Sequence, residues 1–147
     1  MDAIRVLCVE ILNTFHDLAA ARSNDRVLQQ SALLCLAGNP SPACRRLLRC
    51  LAQGLADDIP LLAWADLDYG GFNILSQLRK EVSPRFMPYR MDIETLERFH
   101  QFARPLTQTD HRNLERQANR LELGDVRAVI AEMLRTGLKL EQEAIGD

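Results

Sequence analysis

Apolar positions in this chain fall into four short, nearly unbroken runs, separated by stretches in which apolar residues repeat every three or four positions. That alternation predicts strands buried on both faces with amphipathic helices between them. The first run is Ile4 to Val9. Glu10 ends it, and Asn13 or Thr14 is placed to cap a helix carrying Phe15, Leu18, Ala19 and Arg22. Ser23-Asn24-Asp25 breaks that pattern. The second run, Ser31 to Ala37, is closed by Gly38-Asn39-Pro40. Ser41 and Pro42 then make a cap and first-turn pair for a helix expected to hold Leu47, Leu48 and Leu51 on its inner side. The third run, Leu61 to Ala65, ends in Asp66 and Asp68, ahead of Gly70-Gly71 and a helix bearing Phe72, Ile74, Leu75 and Leu78.

Phe86 to Met91 is the fourth run. Pro88 inside it cannot donate to a ladder, which puts this strand at the sheet edge. Asp92 is expected to cap a helix bearing Leu96, Phe99 and Phe102. From Thr107 on, strand signals stop: Thr109 to Leu121 and Asp125 to Leu134 read as two helices, the second ending at Gly137. The tail, Leu138 to Ile145, either folds back on the sheet or is a ragged end. Strands alternating with helices predict an α/β domain with a parallel sheet covered on both faces.

Composition narrows the class without changing it. A chain of 147 residues, 47% hydrophobic and 26% charged, is one ordinary globular domain. No apolar run approaches the ~20 residues of a membrane span, and the N-terminus lacks the order of a signal peptide, so a cytoplasmic location is expected. The net charge of −2 supplies no global attraction to nucleic acid, so such contact needs a local basic patch. Arg45, Arg46 and Arg49 crowd the first half of one helix, where arginines near a helix N-terminus suit phosphate. Arg112, Arg116 and Arg120 share a face, but Glu115 and Glu122 nearby predict a solvated, salt-bridged surface. Cys8, Cys35, Cys44 and Cys50 have the spacing of neither a disulfide framework nor a zinc knuckle and are expected reduced.

The candidate chemistry is acidic. Asp66 and Asp68 sit where a strand meets a helix, and loops at carboxyl ends of strands are where ligands bind in open α/β sheets. Taken alone, such a pair more often ends a strand and caps the next helix. Glu10 changes the weighing. If the strand order is 2-1-3-4, the first and third strands are neighbours and their ends form the topological switch point, so three carboxylates converge. Such a cluster repels itself, and a hard divalent cation resolves the conflict. No Gly-x-Gly-x-x-Gly follows the first strand and no Gly-x-x-x-x-Gly-Lys occurs, so neither a dinucleotide nor a Walker-type site is supported. His16, His100 and His111 are too dispersed for a zinc triad. A receiver-type phosphoacceptor is disfavoured, because it places its acidic pair on the first strand.

Val9-Glu10 closing the first strand, and Asp66-Leu67-Asp68-Tyr69-Gly70-Gly71-Phe72 closing the third, resemble the Toprim fold. More closely, the sequence resembles the Toprim-like C-terminal domain of JetD, the nuclease subunit of Wadjet anti-plasmid systems and a relative of the topoisomerase VI catalytic subunit. The matching pieces are Val9-Glu10-x-Leu12-x-Thr14-Phe15-His16, Gly38-x-Pro40, Asp66-x-Asp68-x-x-Gly71-Phe72-x-Ile74, Met91-Asp92-x-Glu94-Thr95-Leu96 and Leu140-Glu141-Gln142-Glu143. The chain departs from the family at Ile11, usually Asn, and at Ala65, usually Gly.

The resemblance implies a four-stranded Toprim-like metal-binding core over 1–105 with a helical C-terminal extension over 106–147. It implies Mg²⁺- or Mn²⁺-dependent cleavage of a DNA phosphodiester with water as nucleophile. Glu10, Asp66 and Asp68 would be catalytic and metal-binding, and Arg45 and Arg46 would position phosphate. Tyr69 is expected to pack the loop and Tyr89 to be buried, neither serving as a topoisomerase nucleophile. Implied partners are DNA, a second copy in the full-length protein, and SMC-like complex subunits. The family's N-terminal arm and winged-helix region are missing, so the chain is expected to be an excised domain or a stand-alone Toprim protein. The alternative is a degenerate Toprim-like module that binds DNA or assembles a complex without cutting.

Overall fold

A computed structural model describes residues 5–145. Four strands, β1 (Arg5–Val9), β2 (Ser31–Cys35), β3 (Leu61–Trp64) and β4 (Phe86–Pro88), form one parallel sheet in the order β2-β1-β3-β4. The order is the expected one, with the proline-bearing strand at the edge. Ile4, the expected start of the first strand, lies outside the described residues. Val9 is in register with both Cys35 and Trp64, so β1 ends level with both neighbours. One further rung, Glu10 N–H to the Trp64 carbonyl at 2.9 Å, carries the ladder past the strand.

Helices α1 (Leu12–Ala21), α2 (Arg26–Gln29), α3 (Pro42–Gly54) and α4 (Tyr69–Glu81) make the connections. Right-handed crossovers in this strand order set α1 on one face and α3 with α4 on the other. Between the layers Leu7, Cys8, Val9, Trp64, Phe72, Leu75, Leu78 and Phe86 are almost wholly buried. Ser41 caps α3 with Pro42 in its first turn, as expected. Its inner side differs from expectation: Leu48 and Ala52 are buried, whereas Leu47 is 54% exposed and Leu51 also reaches solvent.

Beyond β4 come α5 (Ile93–Arg98), capped by Asp92, then α6 (Gln108–Gln117) and α7 (Arg127–Thr136). The helix expected to carry Phe102 stops at Arg98, and Phe102 lies exposed in a 3₁₀ turn. The helix expected over Thr109 to Leu121 ends at Gln117, and residues Leu121–Val126 form a 3₁₀ segment packed on α4. Arg79 of α4 holds that segment with a bidentate pair to Asp125 (2.6 and 2.7 Å) and a bond to the Glu122 carbonyl. Gly137 ends α7 in the left-handed conformation (φ 70°) that glycine adopts without strain.

The expectation that strand structure ceases at Thr107 is corrected. Arg104–Pro105 (β5) and Leu138–Lys139 (β6) pair antiparallel. Two residues a strand leave no periodicity to read. The ribbon returns the tail to the sheet, where Leu140 pairs with Leu67 (N···O 2.8 and 3.1 Å) between the two aspartates. Among the described residues no helix is long and apolar enough to cross a membrane.

Candidate functional site

Each acid is placed by backbone. Glu10 is the first residue after β1, and its Oε2 accepts the Asp66 N–H at 3.0 Å. Asp66 is the second residue after β3; its Oδ1 accepts the Gln142 N–H at 2.6 Å. Asp68 caps α4, its Oδ1 accepting the Gly71 N–H at 2.8 Å. Capping is therefore one job of Asp68, and it consumes one oxygen. All three side chains are half-buried, and each spends one carboxylate oxygen on an amide. The second oxygens are not among the buried, unpartnered atoms, so they reach solvent.

Burial pushes the Asp66 carboxyl up to about 7, with Glu10, Asp68 and Glu141 adding to the rise and the Gln142 amide opposing it. Burial likewise raises Glu10, against the Asp66 N–H and with the Asp68 charge. The two strand ends thus share one electrostatic site. Carboxylate oxygens from two loops form the donor set that hard divalent cations prefer, and a positive charge there relieves the strain that raises Asp66. Chemically the residues fit such an ion. They do not form a ready cage: among the described residues no group of three or more His, Cys, Asp or Glu is arranged to hold a metal.

The loop is tight. A Cβ on Gly71 would stand 1.9 Å from the Asp66 carbonyl oxygen, so only glycine lets the first turn of α4 close against the acidic loop. The residue sequence reasoning missed is Gln142. It is fully buried; Oε1 accepts the Ile11 N–H at 3.0 Å and Nε2 donates to the Trp64 carbonyl at 2.9 Å, while its own N–H holds Asp66. Helix α1 starts at Leu12, ahead of the expected Asn13 or Thr14 cap, with Ile11 at its N-cap position; no side chain caps its first turn, and Gln142 holds the Ile11 N–H. Asn13 Nδ2 instead donates to Glu143 at 2.7 Å. The one signal available was Gln142 inside the Leu140-Glu141-Gln142-Glu143 match.

Other singled-out residues are placed as follows. Arg45 is engaged with the Pro40 carbonyl at 2.7 Å and Glu81 at 2.9 Å, whereas Arg46 is exposed. Both stand at the start of α3, beside the end of β2. Tyr69 is half-buried in the first turn of α4, its carbonyl accepting Gln117 Nε2 at 2.9 Å. Tyr89, expected to be buried, is half-buried and packs edge-on against Trp64. His16 and His100 are exposed, and no histidine joins a metal-ligating group among the described residues. The cysteines are free, and burial pushes Cys8 up to about 12.

Fold and site together define an α/β domain consistent with a Toprim-like fold, with carboxylates gathered at the switch point of a 2-1-3-4 parallel sheet. The family model described as "Wadjet protein JetD, C-terminal" matches residues 1–147, and the chain belongs to that family. A curated relative, "Wadjet protein JetD" of Bacillus cereus (strain Q1), is 23% identical over 141 residues, covering 95% of this chain and 33% of the relative. The chain thus spans about a third of the length of the curated relative it matches.

Proposed function

We propose that this domain is the divalent-metal-dependent DNA-cleaving part of a Wadjet-type anti-plasmid defence protein. The observation that carries the reading is the Glu10 to Asp66 hydrogen bond at 3.0 Å, because it joins acids from β1 and β3 at one point. Asp66 and Asp68 would hold Mg²⁺ or Mn²⁺ through the oxygens that face solvent. When bound, the ion would neutralise the scissile phosphate and stabilise the leaving oxygen. Glu10, anchored through Oε2, presents Oε1, and its raised pKa favours proton exchange with the attacking water, or it completes a second metal position. Gln142 fixes the orientation of Asp66 and takes no part in proton transfer. Arg46, free of the contacts that occupy Arg45, is the better placed of the two to meet phosphate.

The whole protein's partners belong to the same proposal: DNA, a second copy, and the SMC-like subunits of a defence complex. A second reading, a degenerate module that binds DNA or assembles the complex, is favoured by the absence of a ready three-residue cage and by Ile11, which offers Glu10 no polar side chain.

Nicking of supercoiled plasmid in Mn²⁺ separates the two. The wild-type protein should convert plasmid to open circles. Glu10→Ala, Asp66→Ala and Asp68→Ala should each lower the rate on the order of 10²-fold or more. Full activity in all three variants, or none from the wild type, contradicts the nuclease reading.

A further inference from the structure

We propose that Arg112 and Arg116 of α6 form a strip at the rim of the acidic loop that takes the sugar-phosphate backbone of duplex DNA without regard to sequence. This rests on the substrate class proposed above and adds the surface that holds it.

The position of the strip follows from hydrogen bonds along α4. Gln117 reaches the Tyr69 carbonyl (2.9 Å), Arg120 reaches Asn73 (3.3 Å), Glu122 accepts from Ser76 (2.6 Å), and Asp125 pairs with Arg79. In that order the segment descends α4 away from its acidic N-terminal end. Helix α6, whose last residue is Gln117, therefore meets α4 at Tyr69, the residue next to Asp68. Its other end is tied to the same rim. Asp110 pairs with Lys139 at 2.9 Å, and the next residue, Leu140, pairs with Leu67 between the aspartates.

Charge supplies the second argument. Of the two carboxylates expected to neutralise these arginines, Glu122 is instead bound to Ser76 and to Lys80 at 2.9 Å, and Glu115 of α6 makes no ion pair among the described residues. The bonds to Glu122 hold its carboxyl down at about 2, so it stays with α4. Asp110 is held by Thr107 and Lys139. Arg112 and Arg116 are exposed and, among the described residues, make no ion pair. Four residues of helix separate them by about 6 Å, and guanidinium groups bind phosphate oxygens in pairs. A polyanion approaching three carboxylates on a chain of net charge −2 meets repulsion unless cations stand beside them, and this strip supplies them.

The test measures anisotropy of a labelled random-sequence duplex against the chain, without divalent metal so that no strand is cut. Arg112→Ala/Arg116→Ala should weaken binding tenfold or more at 50 mM salt and lower the slope of log K against log salt by about 2. Arg112→Lys/Arg116→Lys should keep most of the affinity, which a merely structural role would not require. Arg26→Ala, on α2 ahead of β2 at the opposite end of the sheet, should change neither quantity. Wild-type affinity in the double alanine variant, or no salt-sensitive binding by the wild type, overturns the strip. Loss of nicking in Asp66→Ala with binding indifferent to Arg112 and Arg116 would leave the nuclease reading standing and remove this one.

Discussion

Asp66 concentrates the energetics of the site in one side chain. Its carboxyl ionises near 7 in the folded protein against about 4 in an unfolded chain, so the native state holds the proton more tightly. The sign follows: metal-free protein should lose stability as pH rises from about 4 through about 7, the stability being fully present below that window. Asp66→Asn should flatten this part of the profile and raise the melting temperature at pH 8 by a few degrees. Thermal melts at pH 5 and pH 8 in chelator check it; equal pH dependence in both proteins would contradict it. At this scale Glu10, Asp66 and Asp68 were legible because acids directly after apolar runs stand out. Gln142 was not. It lies 76 residues from Asp66, in a polar tail whose composition gives no hint of burial.

Among the elements, caps and strand breaks were readable wherever the signal is local. Ser41, Asp92 and Gly137 end or start their helices as side-chain chemistry and glycine geometry require. Elements that depend on distant partners were not: α1 starts after an Ile11 whose N–H is held by Gln142, β5 and β6 exist through each other, and α3 turns Leu47 and Leu51 outward against its own apolar pattern. The tail is the element on which the site leans. Gln142→Ala removes two side-chain hydrogen bonds; the half-buried Ile11 N–H loses its acceptor, while the Trp64 carbonyl keeps the Glu10 N–H. The expected cost is about 1–3 kcal/mol, read from urea unfolding. Unchanged stability would show that the tail docks by Leu140 and Ile145 alone.

For the molecule as a whole, the strand order could be argued from two residues, Pro88 demanding an edge and Glu10 needing the acidic loop as neighbour, and the sheet has that order. What the order accomplishes is to bring acids from two strand ends, a capping aspartate and a folded-back tail into one place. If that place binds a divalent cation, the ion stabilises the native state by mass action. Thermal unfolding at pH 8 with increasing Mg²⁺ or Mn²⁺ tests this most directly. Wild type should gain roughly 5–10 °C at a hundredfold excess over Kd. Asp66→Ala and Asp68→Ala should lose that gain, even though Asp68→Ala starts lower by the roughly 1 kcal/mol of its helix cap. An equal rise in wild type and both variants, or no rise in the wild type, would contradict the account.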